Sequence, residues 1–338
     1  MTCVSKEEYL SIIQSLIVSV SGLLPESIWD TVSASINESC DEIRHEIIQH
    51  FEGQPWVGIY QPVLEKFVRH CVDWVRAFFF PLRHSQRVAL GIHGVYLLFI
   101  DDSVADSSKR RHMRRFLSLF GDGTNHPGDE TPEVHMLFSF VEFSRTMAEV
   151  YGPYVKASFY RGTIDYIQSV VVGEHLVSIG SKTPVGATKF PWNHRRRDAA
   201  AETWTHVFFV SENDLGYIPE ASYVEHDVVF YMCAVNDVCS YWKEQSGDEW
   251  NYVTAQAEAQ NRSVRDMLWD TVNEIRLTVE RLTRIDLSYP ELQHRILMCL
   301  ATLLVMSVCG SRYGLRNMLH AVGDDPQHVQ KMFDLWSR

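Results

Sequence analysis

Three segments constrain this chain more than any other feature. "RVALGIHGVYLLFIDD" (87–102), the run 221–245 that contains "VVFYMCAVNDVCSYWKE", and the run 289–316 that contains "ILMCLATLLVMSVCG" keep helical spacing yet are apolar nearly all round. A surface helix carries one apolar stripe, whereas a helix apolar on every side has to be enclosed by other helices or line a cavity. Such a chain folds as helices packed around helices.

The remaining pattern agrees. Apolar residues recur at three- and four-residue steps over 60–80, 133–150, 154–178, 197–211, 249–259 and 262–284. The breaks carry turn chemistry: "GDGTNHPGDETP" (121–132), "GSKTPVG" (180–186), "SENDLGYIP" (211–219) and "SYP" (288–290). Only "SVVVGEHLVSIG" invites a strand. With 338 residues, 46% of them hydrophobic, and no low-complexity tract or linker, the expectation is one all-α domain over residues 1–338.

A net charge of −12 disfavours a nucleic-acid partner, since that class relies on a basic surface to release counterions. An anionic ligand would need a local basic cluster. The N-terminus "MTCVSKEEYLSIIQSLIVSVSGLL" offers Thr2 or Ser5 as helix caps. It has no basic leader region, and its apolar run is too short and interrupted to span a bilayer. A cytoplasmic protein without stable membrane insertion is expected. Seven scattered cysteines with no Cys-x-x-Cys pair read as reduced core residues.

Four places carry chemistry. Asp101 and Asp102 end the first apolar helix, where adjacent carboxylates are costly unless a cation or solvent meets them. Asn236, Ser240 and Glu244 advance about 40° per four-residue step and share a stripe roughly 80° wide on the second. That all-oxygen set suits magnesium better than zinc, and it is too poor in charge to hold the ion without an anionic ligand. Lys243 beside it adds a cation. Arg195, Arg196 and Arg197 follow "FPWNH" in an otherwise acidic chain, and guanidinium groups bind phosphate oxygens in pairs. Arg312 and Tyr313 leave the third apolar helix together.

In combination these pieces resemble the class I terpene synthases, and among them the trichodiene synthase family of fungal sesquiterpene cyclases. The carriers are Asp101-Asp102-Ser103; the Asn-Asp-x-x-Ser-x-x-x-Lys-Glu pattern from Asn236 to Glu244, 135 residues after Asp101; Arg312-Tyr313, 76 residues after Asn236; and Arg196, 40 residues before it. The resemblance covers about residues 60–320. In one place the chain departs: the family's third acid commonly falls at the fifth position of its aspartate motif, here Ala105, and the acid is Asp106.

The resemblance implies a class I terpenoid synthase-like bundle around a central apolar cavity. It implies three magnesium ions held by Asp101 and by Asn236, Ser240 and Glu244, with Asp106 a further candidate. Arg196, Lys243, Arg312 and Tyr313 would donate to a substrate diphosphate, and either Arg195 or Arg197 could replace Arg196 as its sensor. Asp102 would pair with Arg312. The implied reaction ionises farnesyl diphosphate and cyclises the cation to a C15 hydrocarbon or alcohol, releasing diphosphate. Trp74, Phe78, Tyr96, Phe99, Tyr160, Trp204, Tyr231 and Trp242 are candidate cation-stabilising aromatics. A homodimer is compatible with this reading.

Geranyl or geranylgeranyl diphosphate are alternative substrates. A chain-elongating prenyltransferase would carry a second Asp-Asp-x-x-Asp in place of the Asn/Ser/Glu pattern. A non-catalytic helical scaffold would have lost part of the metal set or the Arg-Tyr pair, and a helical di-iron oxygenase would need Glu-x-x-His pairs facing each other, whereas Glu174-His175 and Glu225-His226 are adjacent pairs.

Overall fold

The computed structural model describes residues 4–36, 39–77, 82–113, 131–209, 215–245, 250–310, 312–320 and 327–336. Among them the only regular elements are helices, and the segment that invited a strand is helical through Ser178. In chain order these are α1 (Lys6–Ser21), α2 (Glu26–Ile36), α3 (Asp41–Glu52), α4 (Gln61–Ala77), α5 (His84–Ala105), α6 (Ser107–Met113), α7 (Pro132–Ser178) and α8 (Phe190–Asp198). They continue with α9 (Ala201–Phe209), α10 (Ile218–Glu244), α11 (Tyr252–Gln260), α12 (Val264–Arg284), α13 (Pro290–Cys309), α14 (Leu315–His320) and α15 (Gln327–Trp336). Two short 3₁₀ turns, Val57–Ile59 and Leu215–Tyr217, precede α4 and α10.

The chain divides into two compact units, Ser39–His175 and Met1–Glu38 with Leu176–Arg338. In the Ser39–His175 unit α5 is the enclosed helix, packed by α3, α4 and α6 and buried from Gln86 to Ile100. Tyr96 and Phe99 meet Phe51, Trp56 and Tyr60 in an aromatic cluster with ring centroids 4.4–5.9 Å apart. α7 is two helices joined at Gly152, whose φ of 79° and ψ of 171° interrupt it just before Pro153. A left-handed residue followed by proline cannot continue a helix, and the sequence pattern divides there too.

In the other unit α10 is the enclosed helix. It packs against α1, α9, α11, α12 and α13, and α13 against α2, α12 and α15. Proline occupies the first turn of α8, α10 and α13, where a missing N–H costs nothing. Ser5 caps α1 by accepting from the Glu8 N–H at 3.2 Å.

Two boundaries differ from the spacing. The helix expected over 197–211 is two helices, α8 and α9, and the one expected over 289–316 stops at Cys309. The second ends at Gly310, whose backbone turns extended (ψ 155°) while its N–H still bonds Met306 O at 2.9 Å, a position where a Cβ would lie 2.5 Å from that oxygen.

α5 and α13 are each long and apolar enough to cross a membrane, but 83% and 78% of their most apolar windows are buried inside the protein. Their apolarity is explained by the core. The six described cysteines are buried and none forms a disulfide. Cys3 and Phe78 lie outside the described residues.

Candidate active site

α10 presents Asn236, Ser240 and Glu244 in one stripe, and their neighbours settle what each does. Arg195 of α8 is the centre of the group. Its Nε donates to Asp237 Oδ2 at 2.6 Å, one terminal nitrogen to Asp198 Oδ1 at 2.8 Å and the other to Asn236 Oδ1 at 2.8 Å. Asn236 in turn donates through Nδ2 to the Tyr313 hydroxyl at 2.5 Å. One turn along, Ser240 Oγ donates to Glu244 Oε2 at 2.8 Å, and Asn251 Nδ2 donates to the same oxygen at 2.9 Å.

The electrostatics follow from burial. Asp237 is 3% exposed, and burial raises its carboxyl to about 7 even though the Arg195 guanidinium 2.6 Å away favours the charged form. Burial opposes the charge on Arg195 too, yet Asp237 and Asp198 hold its pKa well above the ordinary value. Burial pushes the Tyr313 phenol up to about 12, which makes it a neutral hydrogen-bond partner near pH 7. Arg312 lies beside Tyr313, its guanidinium carbon 5.8 Å from the ring centroid.

Of the three arginines, Arg195 reaches the α10 stripe. Arg196 instead pairs with Glu202 at 3.2 Å, with its side chain 42% exposed against 13% for Arg195. Lys243 is exposed on α10.

The stripe is a set of hard oxygens already aligned by donors: Asn236 Oδ1 by Arg195, Glu244 Oε2 by Ser240 and Asn251. Oxygen donors with a single carboxylate fit a magnesium ion that shares its charge with an anionic ligand. In the other unit Asp101 and Asp102 are exposed in the last turn of α5, while Ser103 is buried with its hydroxyl 2.5 Å from that of Tyr60. Arg110 secures that helix end by donating to Val104 O at 2.8 Å. Asp106 lies past the helix end, its carbonyl accepting from the Lys109 and Arg110 N–H groups that open α6. It leaves the stripe that Asp101 occupies.

A separate surface group, Glu42, Glu46 and His84, brings its donor atoms within 4.8 Å of one another, with His84 Nε2 2.6 Å from Glu46 Oε1. It shares no residue with the expected metal set and reads as a surface ion pair.

Three positions were not singled out from sequence. Asn251 bonds Asp237 O at 3.2 Å as well as Glu244, and its Oδ1 caps α11 by accepting from Val253 N at 2.9 Å. An Asn ahead of an apolar helical run signals a cap, though not its second role. Asp237 stands inside the quoted motif but took no role there. Tyr9 of α1 donates to Val238 O and Cys239 O at 3.0 and 2.8 Å and stacks on Trp242 at 5.6 Å, bracing the motif helix; nothing in the sequence marks it.

An all-α fold with an Asn/Ser/Glu stripe on an enclosed helix is that of the class I terpene synthases. Limonene synthase solved with 2-fluorolinalyl diphosphate superposes with a TM-score of 0.63 at 13% identity, covering 92% of this chain and 58% of that one. At that identity the likeness concerns the fold. The trichodiene synthase (TRI5) family model matches residues 62–337, and the chain belongs to that family. Among its relatives, trichodiene synthase of Trichoderma arundinaceum is 23% identical over 325 residues, 88% of this chain and 78% of that protein. Monoterpene synthase 25 of Postia placenta is 23% identical over 205 residues, 59% of this chain and 57% of that protein. The match thus spans little more than half the length of the Postia placenta relative.

Proposed function

We propose that residues 1–338 act as a terpene cyclase that ionises farnesyl diphosphate and closes the resulting cation to a C15 product. The observation that carries this reading is the aligned oxygen stripe of Asn236, Ser240 and Glu244, with Arg195 and Tyr313 hydrogen-bonded to its first member. Asn236, Ser240, Glu244 and Asp101 are its magnesium ligands. Magnesium bound there supplies Lewis-acid polarisation of the leaving diphosphate.

The chain's own groups do the rest. Arg195, with Arg312 and Tyr313, donates to diphosphate oxygens, where the developing charge concentrates. Arg196 and Lys243, both more exposed, are secondary donors. The apolar helices exclude bulk water, and ring faces favour the cation without themselves offering a nucleophile. Farnesyl diphosphate is favoured by the relationship to trichodiene synthases; the Postia placenta relative, named a monoterpene synthase, makes geranyl diphosphate the second candidate.

The test is headspace mass spectrometry of purified protein with magnesium and geranyl, farnesyl or geranylgeranyl diphosphate. Volatile C15 product from farnesyl diphosphate is expected, with loss of orders of magnitude in turnover on Asn236→Ala or Glu244→Ala. Full activity in EDTA, or in both variants, refutes the assignment.

A further inference from the structure

α5 and the second half of α7 run side by side within the Ser39–His175 unit. Tyr151 Oη donates to Gln86 O at 2.6 Å, the His93 ring meets the Phe159 ring edge-on at 5.2 Å, and Tyr166 Oη donates to Leu97 O at 3.0 Å. Gln86, His93 and Leu97 share one stripe of α5, and Asp101 continues it: all four fall within about 80° of helix. On α7, Phe159, Thr163 and Tyr166 fall within about 60°, so Thr163 faces α5 between the levels of His93 and Leu97.

The polar atoms in this interface are unusual. His93 is 1% exposed, against Phe140 and Phe159, and neither ring nitrogen has a partner among the described residues. Thr163 is 2% exposed and its hydroxyl likewise has none. A helical threonine ordinarily donates to the carbonyl four residues back, as Thr205, Thr271 and Thr302 do here. An imidazole and a hydroxyl, each buried on one of two facing helices without a partner among the described residues, supply the polar lining that a trapped water requires.

We propose that His93 and Thr163 hold one water about 12 Å along α5 from Asp101, and that this water ends the reaction as a nucleophile, giving a terpene alcohol. This rests on the ionisation reading above. A water lone pair forms the C–O bond to the final carbocation. The resulting oxonium gives its proton to the free nitrogen of His93, and the imidazolium returns it to solvent when product leaves. Burial holds the His93 ring neutral, with its pKa lowered to about 3, so an acceptor nitrogen is present throughout. A protonated alcohol is a far stronger acid than that imidazolium, and the transfer runs downhill.

The test is turnover of farnesyl and geranyl diphosphates in H₂¹⁸O, read by gas chromatography and mass spectrometry against an enzyme-free magnesium control. The wild type is expected to give an ¹⁸O-labelled alcohol. His93→Leu and the isosteric Thr163→Val should divert product to hydrocarbon, lowering the labelled fraction by roughly a hundredfold, the low end for removing a positioned base. Diphosphate release should stay near the wild-type rate, and His93→Asn should retain part of the label. A wild type that makes only hydrocarbon, or a labelled fraction unchanged in both variants, overturns the proposal while leaving the ionisation reading intact. No diphosphate release from any substrate overturns the ionisation reading instead, and this inference with it.

Discussion

Asn251 does two jobs that one pair of substitutions can separate. Its Nδ2 holds Glu244 Oε2 at 2.9 Å, and its Oδ1 caps α11 through the Val253 and Thr254 N–H groups at 2.9 and 3.4 Å. Serine is as good a cap as asparagine but is too short to reach Glu244 as well; alanine does neither. Asn251→Ser should therefore lose the bond to the carboxylate, about 1.5–3 kcal/mol for a charged acceptor. Asn251→Ala should lose that and the cap, about 1 kcal/mol more.

The functional consequence follows from the magnesium-ligand role proposed for Glu244. A carboxylate freed from its donor samples other rotamers, and loss of such an outer partner typically weakens metal affinity about 10–100-fold. Both variants should raise the magnesium concentration for half-maximal turnover by a similar factor, with turnover at saturating magnesium far less affected. Magnesium titration of diphosphate release measures the first effect, and urea denaturation the second. A serine variant with wild-type magnesium dependence would show that the Glu244 contact positions nothing. Equal stability of the two variants would remove the cap from the argument.

Arg195→Met should destabilise the fold by about 3–5 kcal/mol, because it strips the nearest cation from buried Asp237; Arg196→Met, losing a half-exposed pair, should cost about 0–1 kcal/mol. Equal denaturation midpoints for the two would contradict the placement of Arg195. Stability should also fall in acid. Burial lowers His50 to about 4 and His93 to about 3, so between pH 6.5 and 4 the unfolded chain takes up protons that the native state refuses. Each histidine then removes up to about 1.4 kcal/mol per pH unit as pH drops through that window. Denaturation at pH 6.5 and 4.5 should show this slope, and His93→Phe should reduce it by about one proton; an unchanged slope in that variant would refute the assignment.

How far the sequence carried the fold depends on what leaves a local trace. α5, α10 and α13 were legible because burial on every side requires an apolar residue at nearly every position, and the α7 break was legible because "YGPY" cannot remain helical. The break between α8 and α9 was not. It turns on Ala200 at φ 52°, and alanine is the best helix former, so "DAAA" gives no warning that the chain stops there.

The same break bears on the three arginines, among which family spacing points to Arg196 and leaves Arg195 and Arg197 open. A helix start at residue 197 leaves Arg195 and Arg196 outside it and without a rotational phase. With Pro191 in the first turn, α8 runs from Phe190, and Arg195 and Arg196 then stand about 100° apart on one helix. A single step of register thus separates a buried guanidinium bonded to Asn236 from a half-exposed one paired with Glu202. Family spacing counts residues along the chain and does not resolve a helix's phase, whereas the side chain that meets α10 is set by where Pro191 starts the helix. The sequence thus named the residue types of the proposed site, while the arginine that meets α10 is set by the fold.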